Sequence, residues 1–447
     1  MNGTVTAMGA MQSGQNICLI SRQRIVGRTN GSSVYLLSIA AYLKAKGYRI
    51  HYLSPSPATF GRWPVIRMRP EMAMFDSIRI RGSIKLGRLL VALDPMVAWR
   101  AAIALLDRGL RRLHLAGTGL SRPAPYAIAV PLTSRDKAFV ARHAPALADV
   151  ILLDYAFLTE VIAHVGRPDA LSIVIMHDLF SARPQQFQAV GQVDSVAVLD
   201  EEQEMRLLGE ADLVVAIQEE EAAVVRNRLP GLPVVVAPMA VEPAPHAHPG
   251  EADLLLFVGS KTAPNVDGLA WFVEQVWPQI RAARPAARLL VAGSVTQSYA
   301  VGSPGVSYLG LVPSLDELYR RAGIVISPLR VGSGLKVKLI EALSWGKAVV
   351  ATPTTAQGVQ DLVKDCIALA DGAAQFAEAI LRLIQDDAAR QQLAGRALAI
   401  AAAHFGAEAC YSRIAEFAAG GRPSPGSKRL VDDVGRRRMH QHGDRNA

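Results

Sequence analysis

The residues best suited to chemistry lie close together, between Gly332 and Glu341. Gly332-Ser333-Gly334 lets the backbone turn tightly and come within hydrogen-bonding reach of a ligand. Lys336 and Lys338 follow, at the start of an apolar-periodic stretch. A helix begins with the positive end of its dipole, where acids are the favourable residues. Two lysines in that first turn imply an anion already bound there. Glu341 falls among Leu339, Ile340, Ala342 and Leu343. A carboxylate on an apolar face needs hydrogen-bond partners, and sugar hydroxyls would supply them. A solvated charge on a surface helix is the plainer alternative.

Three elements must hold these residues. The apolar run Gly323-Ile324-Val325-Ile326 predicts a buried strand that Pro328 ends, since proline cannot donate to a central ladder. A helix is expected from about Leu335 to Gly346, a good terminating residue. Lys347 to Thr352 reads as the next strand. Strand, glycine turn and helix N-terminus together make an anion site, because free N–H groups and the dipole both favour phosphate.

This stretch resembles the donor-binding signature of retaining glycosyltransferases of family 4, which have the GT-B fold. Glu341-Ala342-Leu343-Ser344-Trp345-Gly346-Lys347-Ala348-Val349-Val350-Ala351-Thr352 fits the second half of their E-G-F-G-x-x-x-x-E-A-x-x-x-G-x-P-V-V-A-T pattern. Ser333 stands where the first Glu of that Glu-x7-Glu motif would be. A subset with G-G-G-T-R-L-K-x-x-E-A instead fits Gly332 to Glu341 better. The resemblance implies that Glu341 binds the nucleotide ribose. It also implies that Gly332, Ser333 and Gly334 line the donor site, and that Lys336 and Lys338 meet the diphosphate. The first Glu usually contacts the donor sugar, a contact that Ser333 replaces.

Towards the N-terminus, Asn16 to Ser21, a helical pattern after Gly31-Ser32-Ser33, and Arg49 to Leu53 form a βαβ unit, which predicts a parallel sheet. No G-x-G-x-x-G is present, so a dinucleotide fingerprint is absent. The resemblance puts Gly31 in the loop that faces the donor. Val150 to Tyr155 and Ser172 to Asp178 read as further strands, which places His177 at a strand's C-terminal end, where an open α/β sheet has its ligand crevice. By resemblance His177 faces the donor or acceptor sugar; a histidine bonded to a neighbouring carbonyl is the alternative. Glu219, Glu220 and Glu221 open a helix, which suits its dipole, and read as structural. Val234 to Val241 resembles the last strand of the family's first domain, and the proline-rich stretch 242–250 reads as a hinge.

A second α/β unit begins at Asp253. The stretch Phe257-Val258-Gly259-Ser260, the loop 261–268 with Pro264-Asn265-Val266-Asp267-Gly268, and Trp271-Phe272 resemble the same family subset. Gly259 and Lys261 are thereby implied in donor binding, with Ser260 where many members have an arginine for the pyrophosphate. Val306 to Val312 matches a turn whose backbone, at Gly310, contacts the nucleotide base.

The chain has 447 residues and a net charge of +9, room for two domains and a basic preference for anionic partners. The expected division is a loose leader over 1–15, an acceptor-binding Rossmann-like domain over 16–245, a nucleotide-sugar-binding one over 251–420, and a basic disordered tail over 421–447. Residues 61–114 interleave arginines with apolar residues. They read either as a basic amphipathic segment for an anionic membrane or as two ordinary surface helices. Cys18, Cys366 and Cys410 lack metal spacing, which points to a reduced, cytoplasmic protein. The N-terminus lacks the basic n-region of a secretory signal, and no apolar run is long enough to span a membrane.

The fold class expected is α/β, two Rossmann-like domains facing a cleft. The function implied is glycosyl transfer with retention from a nucleotide-sugar to a glycan or lipid-linked acceptor, in bacterial surface or exopolysaccharide biosynthesis. The leaving diphosphate would help deprotonate the acceptor while lysines stabilise its charge. No cofactor and no metal are expected, because no DxD-like acid cluster ends a strand, and no nucleic-acid partner is expected. The location expected is cytoplasmic, at the inner membrane face if the acceptor is a lipid. A sugar-nucleotide epimerase of the same fold, a nicotinamide oxidoreductase and a non-catalytic sugar-nucleotide binder are the rivals.

Overall fold

The structure, a computed structural model, describes residues 14–28, 31–113, 130–182, 199–332 and 335–420. Ser333, Gly334, the basic tail and nearly all of the expected leader lie outside the described residues.

The first unit is built on β1 (Asn16–Ile20), β2 (Arg49–Ser54), β4 (Ser77–Ile80), β7 (Val150–Asp154), β8 (Leu171–Met176), β9 (Leu213–Ala216) and β10 (Val234–Val236). They form one sheet in the order β10-β9-β8-β7-β1-β2-β4, and every pair is parallel. Continuous apolar runs produce this, because helices cover both faces of a parallel sheet. Alternation along β1 shows it: Ile17 and Leu19 enter one core, Cys18 and Ile20 the other. Around the sheet lie α1 (Gly31–Ala45), α2 (Pro95–Arg112), α3 (Ser134–His143), α4 (Glu201–Leu208) and α5 (Glu219–Arg228).

Residues 61–114 depart from the expected pair of helices. β4 extends the parallel sheet, while β3 (Val65–Arg67), β6 (Leu89–Ala92) and β5 (Ser83–Leu86) make a small antiparallel sheet, and only α2 is a regular helix of any length. Charge counting hid the period-two alternation in Ser83-Ile84-Lys85-Leu86. Gly87, at φ +57°, supplies the left-handed turn between β5 and β6.

The second unit has β11 (Glu251–Val258), β12 (Arg288–Ala292), β13 (Val306–Gly310), β14 (Ala322–Ser327), β15 (Ala348–Ala351) and β16 (Ala368–Leu369), in the order β13-β12-β11-β14-β15-β16, again all parallel. Its helices are α6 (Ala263–Trp271), α7 (Trp277–Ala283), α8 (Asp316–Arg321), α9 (Val337–Ser344), α10 (Ala373–Gln385) and α11 (Asp387–His404), with two single turns after β15. The expected loop 261–268 is mostly helix, because Pro264 sits in the first turn of α6, where a missing N–H costs nothing.

The chain then returns. Its last helix, α12 (Ala407–Ala418), expected within the second domain, packs on the first: Tyr411, Ile414 and Phe417 join the core under α1. The Tyr411 hydroxyl lies 2.6 Å from Ser38 Oγ and accepts from Ala240 N–H at 2.8 Å.

The linker is held by a buried amine. Lys347 has no exposed surface, and its Nζ donates to the carbonyls of His248 (2.7 Å), Ala322 (2.9 Å) and Arg320 (3.3 Å). Burial pulls its pKa down to about 8. Lys347→Met keeps the volume but leaves three carbonyls without this donor, so it should lower unfolding free energy by about 1–3 kcal/mol. Urea melts check this, and an unchanged midpoint would show that the amine does not hold the linker.

Candidate functional site

On the first domain, the C-terminal ends of β1, β7 and β8 bring together Ser21, Gln23, Asp154, Tyr155 and His177. Asp154 is 1% exposed and feels the charge of the buried Arg22. It accepts from Ser21 Oγ and from Gln23 Nε2, the latter at 3.0 and 2.9 Å. His177 Nε2–H donates to Asp154 Oδ1 at 2.8 Å. The carboxylate can only accept, so this bond fixes Nε2 as the donor and leaves Nδ1 facing away from Asp154. The alternative of a histidine bonded to a carbonyl is therefore replaced by a carboxylate partner.

Two rings fix the imidazole further. Tyr155 stacks on it at 4.2 Å between centroids, and Tyr35 meets it edge-on at 5.4 Å. Tyr155 has φ +71°, the one positive value at a non-glycine position among the described residues. Such a conformation costs on the order of 1–3 kcal/mol and persists where its surroundings over-determine it. Here they include the Tyr155 N–H bond to Ile175 O (3.0 Å) and a hydroxyl contact with Ser32 Oγ at 3.1 Å.

Beside His177 lies an acidic group that sequence reasoning misjudged. Glu204 is fully buried and accepts the N–H groups of Phe180 and Ser181, both at 2.8 Å. Burial nonetheless raises its pKa. Glu221, read from sequence as a helix-start charge, is 9% exposed. Burial first, then the charge of Asp178, pushes its carboxyl up to about 8. The signal was present: Glu221 precedes Val225 by four residues, on the face that points inward.

On the second domain, α9 begins at Val337, so Lys336 is the residue before the helix and not part of its first turn. Only Lys338 lies in that turn. Lys336 Nζ donates to Gly332 O at 3.2 Å. Burial pulls its pKa down to about 8, against the opposing charge of Asp178 from the first domain. Lys336 thus belongs to the space between the domains. Lys338 does not converge with it: its Nζ meets Glu341 Oε2 at 2.5 Å, on the outer flank of α9. Glu341 therefore has an ionic partner on its own helix.

The remaining candidates shape backbone. Gly259 N–H donates to Ala292 O at 3.0 Å, and Gly259 O accepts from Val295 N–H at 3.2 Å. A Cβ on Gly293 would fall 2.2 Å from Gly259 O, so glycine is required where these strand ends cross. Gly310, at φ +68°, accepts from Gly293 N–H at 2.7 Å. Lys261 is exposed, and its N–H donates to Ser294 Oγ at 3.0 Å. Gly31 is the first residue of α1, with open space where a Cβ would be. Ser333 and Gly334 lie outside the described residues.

Residues 252–386 match the family model described as "Glycosyl transferases group 1". The matched segment contains Gly259, Lys261, Gly310, Gly332, Lys336, Lys338 and Glu341. A curated relative, an uncharacterized 44.6 kDa protein in a cps region of Klebsiella pneumoniae, is 23% identical over 172 residues. That match covers 36% of this chain and 44% of the relative, so the chain matches less than half the length of that protein. Among solved structures, the chain is similar to sucrose-phosphate synthase from Thermosynechococcus elongatus, with TM-score 0.57, 18% identity, and coverage of 90% of this chain and 98% of that one. It is also similar to HepE of Anabaena in complex with UDP (TM-score 0.57, 14% identity, 91% and 100% covered) and to TarM (0.59, 9%, 90% and 98%). These likenesses show the fold: two α/β domains in the GT-B arrangement, the fold class expected. The family that this segment matches is one of glycosyltransferases.

Glu221 carries a pH signature. Its folded pKa of about 8 lies above the ordinary glutamate value of 4.5, so the folded state holds the extra proton between the two. Its contribution to stability is full below about 4.5 and is lost as pH rises through 8. Wild-type stability should fall relative to Glu221→Gln by at most about 1.4 kcal/mol per pH unit across that window. Urea melts of both proteins at several pH values read the difference, and parallel curves would place Glu221 in water.

Proposed function

We propose that the protein transfers a sugar, with retention, from a nucleotide-sugar held by the second domain to a glycan or lipid-linked acceptor held by the first. The observation that carries this reading is Lys336. It lies between the Gly332 carbonyl and the first domain's Asp178, where burial has taken much of its water. A cation in that state gains most from a ligand with opposite charge.

In this reading Glu341 accepts from the ribose hydroxyls. Lys338, now paired with Glu341, is near enough to turn to the adjacent phosphate. Lys336 and the N-terminus of α9 meet the diphosphate whose charge grows as the glycosidic bond to it breaks. Gly332, Ser333 and Gly334 bring backbone close to the donor. Gly259, Gly310 and Lys261 flank it from the strand ends, and Gly31 closes it from the first domain. His177, locked by Asp154 and two tyrosines, presents a ring of fixed orientation to the sugar or the acceptor. The chemistry needs no enzyme nucleophile, cofactor or metal, since the departing diphosphate takes the acceptor proton.

HepE was solved with UDP and with UDP-glucose, which supports a uridine donor. The cps-region relative supports a role in polysaccharide biosynthesis. A lipid-linked acceptor would put the work at the inner membrane face. The test is incubation with labelled UDP-, GDP- and ADP-sugars and a bacterial lipid extract. A labelled lipid or glycan supports transfer. Consumption of the donor into an isomeric nucleotide-sugar would favour the epimerase, and binding without turnover a non-catalytic binder.

Two residue-level outcomes follow. Glu341→Ala should weaken donor binding by about 1.5–3 kcal/mol, the cost of a lost hydrogen bond to a charged group; calorimetry giving unchanged affinity would remove Glu341 from the ribose site. Lys336 should set a pH limit. It is charged below about 8 and neutral above, so the affinity of the free enzyme for a nucleoside diphosphate should decline as pH rises through that value. Lys336→Ala should abolish the decline and lower kcat more than it raises KM. A mutant that retains the wild-type pH profile would move the titrating group elsewhere.

A further inference from the structure

Ten of the fourteen exposed large hydrophobic side chains among the described residues lie between Val65 and Leu113. The same span, residues 61–113, has eleven Lys and Arg against four Asp and Glu, a net +7 within the chain's +9. Apolar exposure and positive charge are therefore concentrated in one part of the first domain.

The geometry sorts them. On α2, Met96, Trp99, Ile103, Leu106, Leu110 and Leu113 recur at alternating spacings of three and four, which is one helical stripe. Such a stripe normally faces a core. Here Met96, Trp99, Leu106 and Leu113 are 54–70% exposed, while Val97 and Ala101 on the other side are buried. The Arg108 guanidinium lies over the Trp63 ring at 5.3 Å.

The small sheet continues the pattern. Ile66 and Leu90 are buried on its inner face. Register puts Val65, Val91 and Ile84 in one outer row and Arg67, Leu89 and Leu86 in the next. At the β5–β6 turn, exposed Leu86 and Leu89 share their row with exposed Arg67 and are flanked by exposed Arg88, while Lys85, opposite Leu90, is on the other face. Leu93, 62% exposed, joins this sheet to α2.

Of the four acids, Asp76 pairs with Lys44, Asp94 caps α2 through Met96 N–H, Asp107 is buried, and Glu71 Oε2 is shut away from solvent without a hydrogen-bond partner. Arg81 pairs with Asp136. Among the described residues, Arg67, Lys85, Arg88, Arg100 and Arg112 make no ion pair with a carboxylate.

We infer that the outer faces of α2 and of the β3-β6-β5 sheet form a docking surface for an anionic lipid bilayer. Apolar side chains enter the headgroup boundary while the basic ones meet lipid phosphates. A second copy of the chain is the poorer occupant, since it would bring the same unpaired positive charge against itself. No helix among the described residues is long and apolar enough to cross a membrane, so the surface lies on the bilayer. The inference rests on the proposed function only in that a lipid-linked acceptor would be reached this way.

The test is flotation of the full chain with vesicles of phosphatidylglycerol and phosphatidylcholine, against phosphatidylcholine alone. Binding should need the anionic lipid and should fall with salt. Arg67→Ala/Arg88→Ala should weaken partitioning roughly thirtyfold, about tenfold for each 1.4 kcal/mol at about 1 kcal/mol per charge. Trp99→Asp and Leu86→Asp/Leu89→Asp should abolish it, whereas Val301→Asp, an exposed apolar site in the second domain, should leave it intact. All these positions are exposed, and circular dichroism checks that each variant folds. Absence of vesicle binding overturns the inference. So does binding that the Asp variants retain, or a dimer by light scattering that Trp99→Asp breaks. Binding that RNA displaces and that depends on the basic residues alone would mark a polyanion surface and also overturn it. Calorimetry of the nucleotide-sugar in solution is read in parallel: donor affinity unchanged in a non-docking variant separates failure of docking from failure of the glycosyltransferase reading.

Discussion

A carboxylate that has lost its water must be hydrogen-bonded or neutralised, and at the end of β7 that requirement organises the first domain. Asp154 has its oxygens held by Ser21 Oγ, Gln23 Nε2 and His177 Nε2. The partners come from the ends of β1 and β8, the strands on either side of β7. A slip of either strand by one residue would turn its side chains to the opposite face and leave the charge unsatisfied, at a cost of several kcal/mol. The same requirement that locks the sheet register therefore locks His177, and the strain at Tyr155 is the part of the backbone that yields to let its ring cover the imidazole.

The second domain meets the desolvation problem with lysines, and in two different ways. Lys347 and Lys336 are both drawn down to about 8 by burial. Three backbone carbonyls surround the first, which makes it a fixed part of the linker. Lys336 donates to Gly332 O and feels a carboxylate on the far domain. An ammonium has three donors, so Lys347 is saturated by backbone carbonyls. Lys347 answers only to its own domain and linker while Lys336 also answers to the first domain, a difference that composition does not reveal.

Much of this was legible in sequence. Continuous apolar runs announced parallel strands, and the match from Gly332 to Thr352 placed the strand, turn and helix that carry Lys336, Lys338 and Glu341. What was not legible had physical reasons. Helix periodicity cannot say which residue is the cap, and so α9 was started two residues early, at Leu335, with Lys336 inside it. The acidic run 219–221 fits the helix dipole so well that the inward position of Glu221 passed as incidental. The dense arginines of 61–114 masked a hairpin whose strands are only four residues long. The return of α12 depends on a contact between Tyr411 and Ser38, far apart in sequence, and no local pattern encodes it.

That return has a mechanical consequence. The chain crosses between the domains twice, once through 242–250 and once into α12, so the second domain is tethered at two points. Lys347 fixes the first crossing to the second sheet through His248 O, and Tyr411 fixes the second crossing to the first domain through Ser38 and Ala240. Two tethers allow a hinge about the line joining them and resist twist. Lys336 and Asp178 face each other across the domains, and a hinge about such a line changes their separation more than it changes the bonds at the tethers. A diphosphate that drew Lys336 to itself would compete with Asp178 for the same cation. Donor binding and domain approach are then coupled through one charge, and the coupling is reciprocal: whatever brings Asp178 closer makes Lys336 less available to the donor.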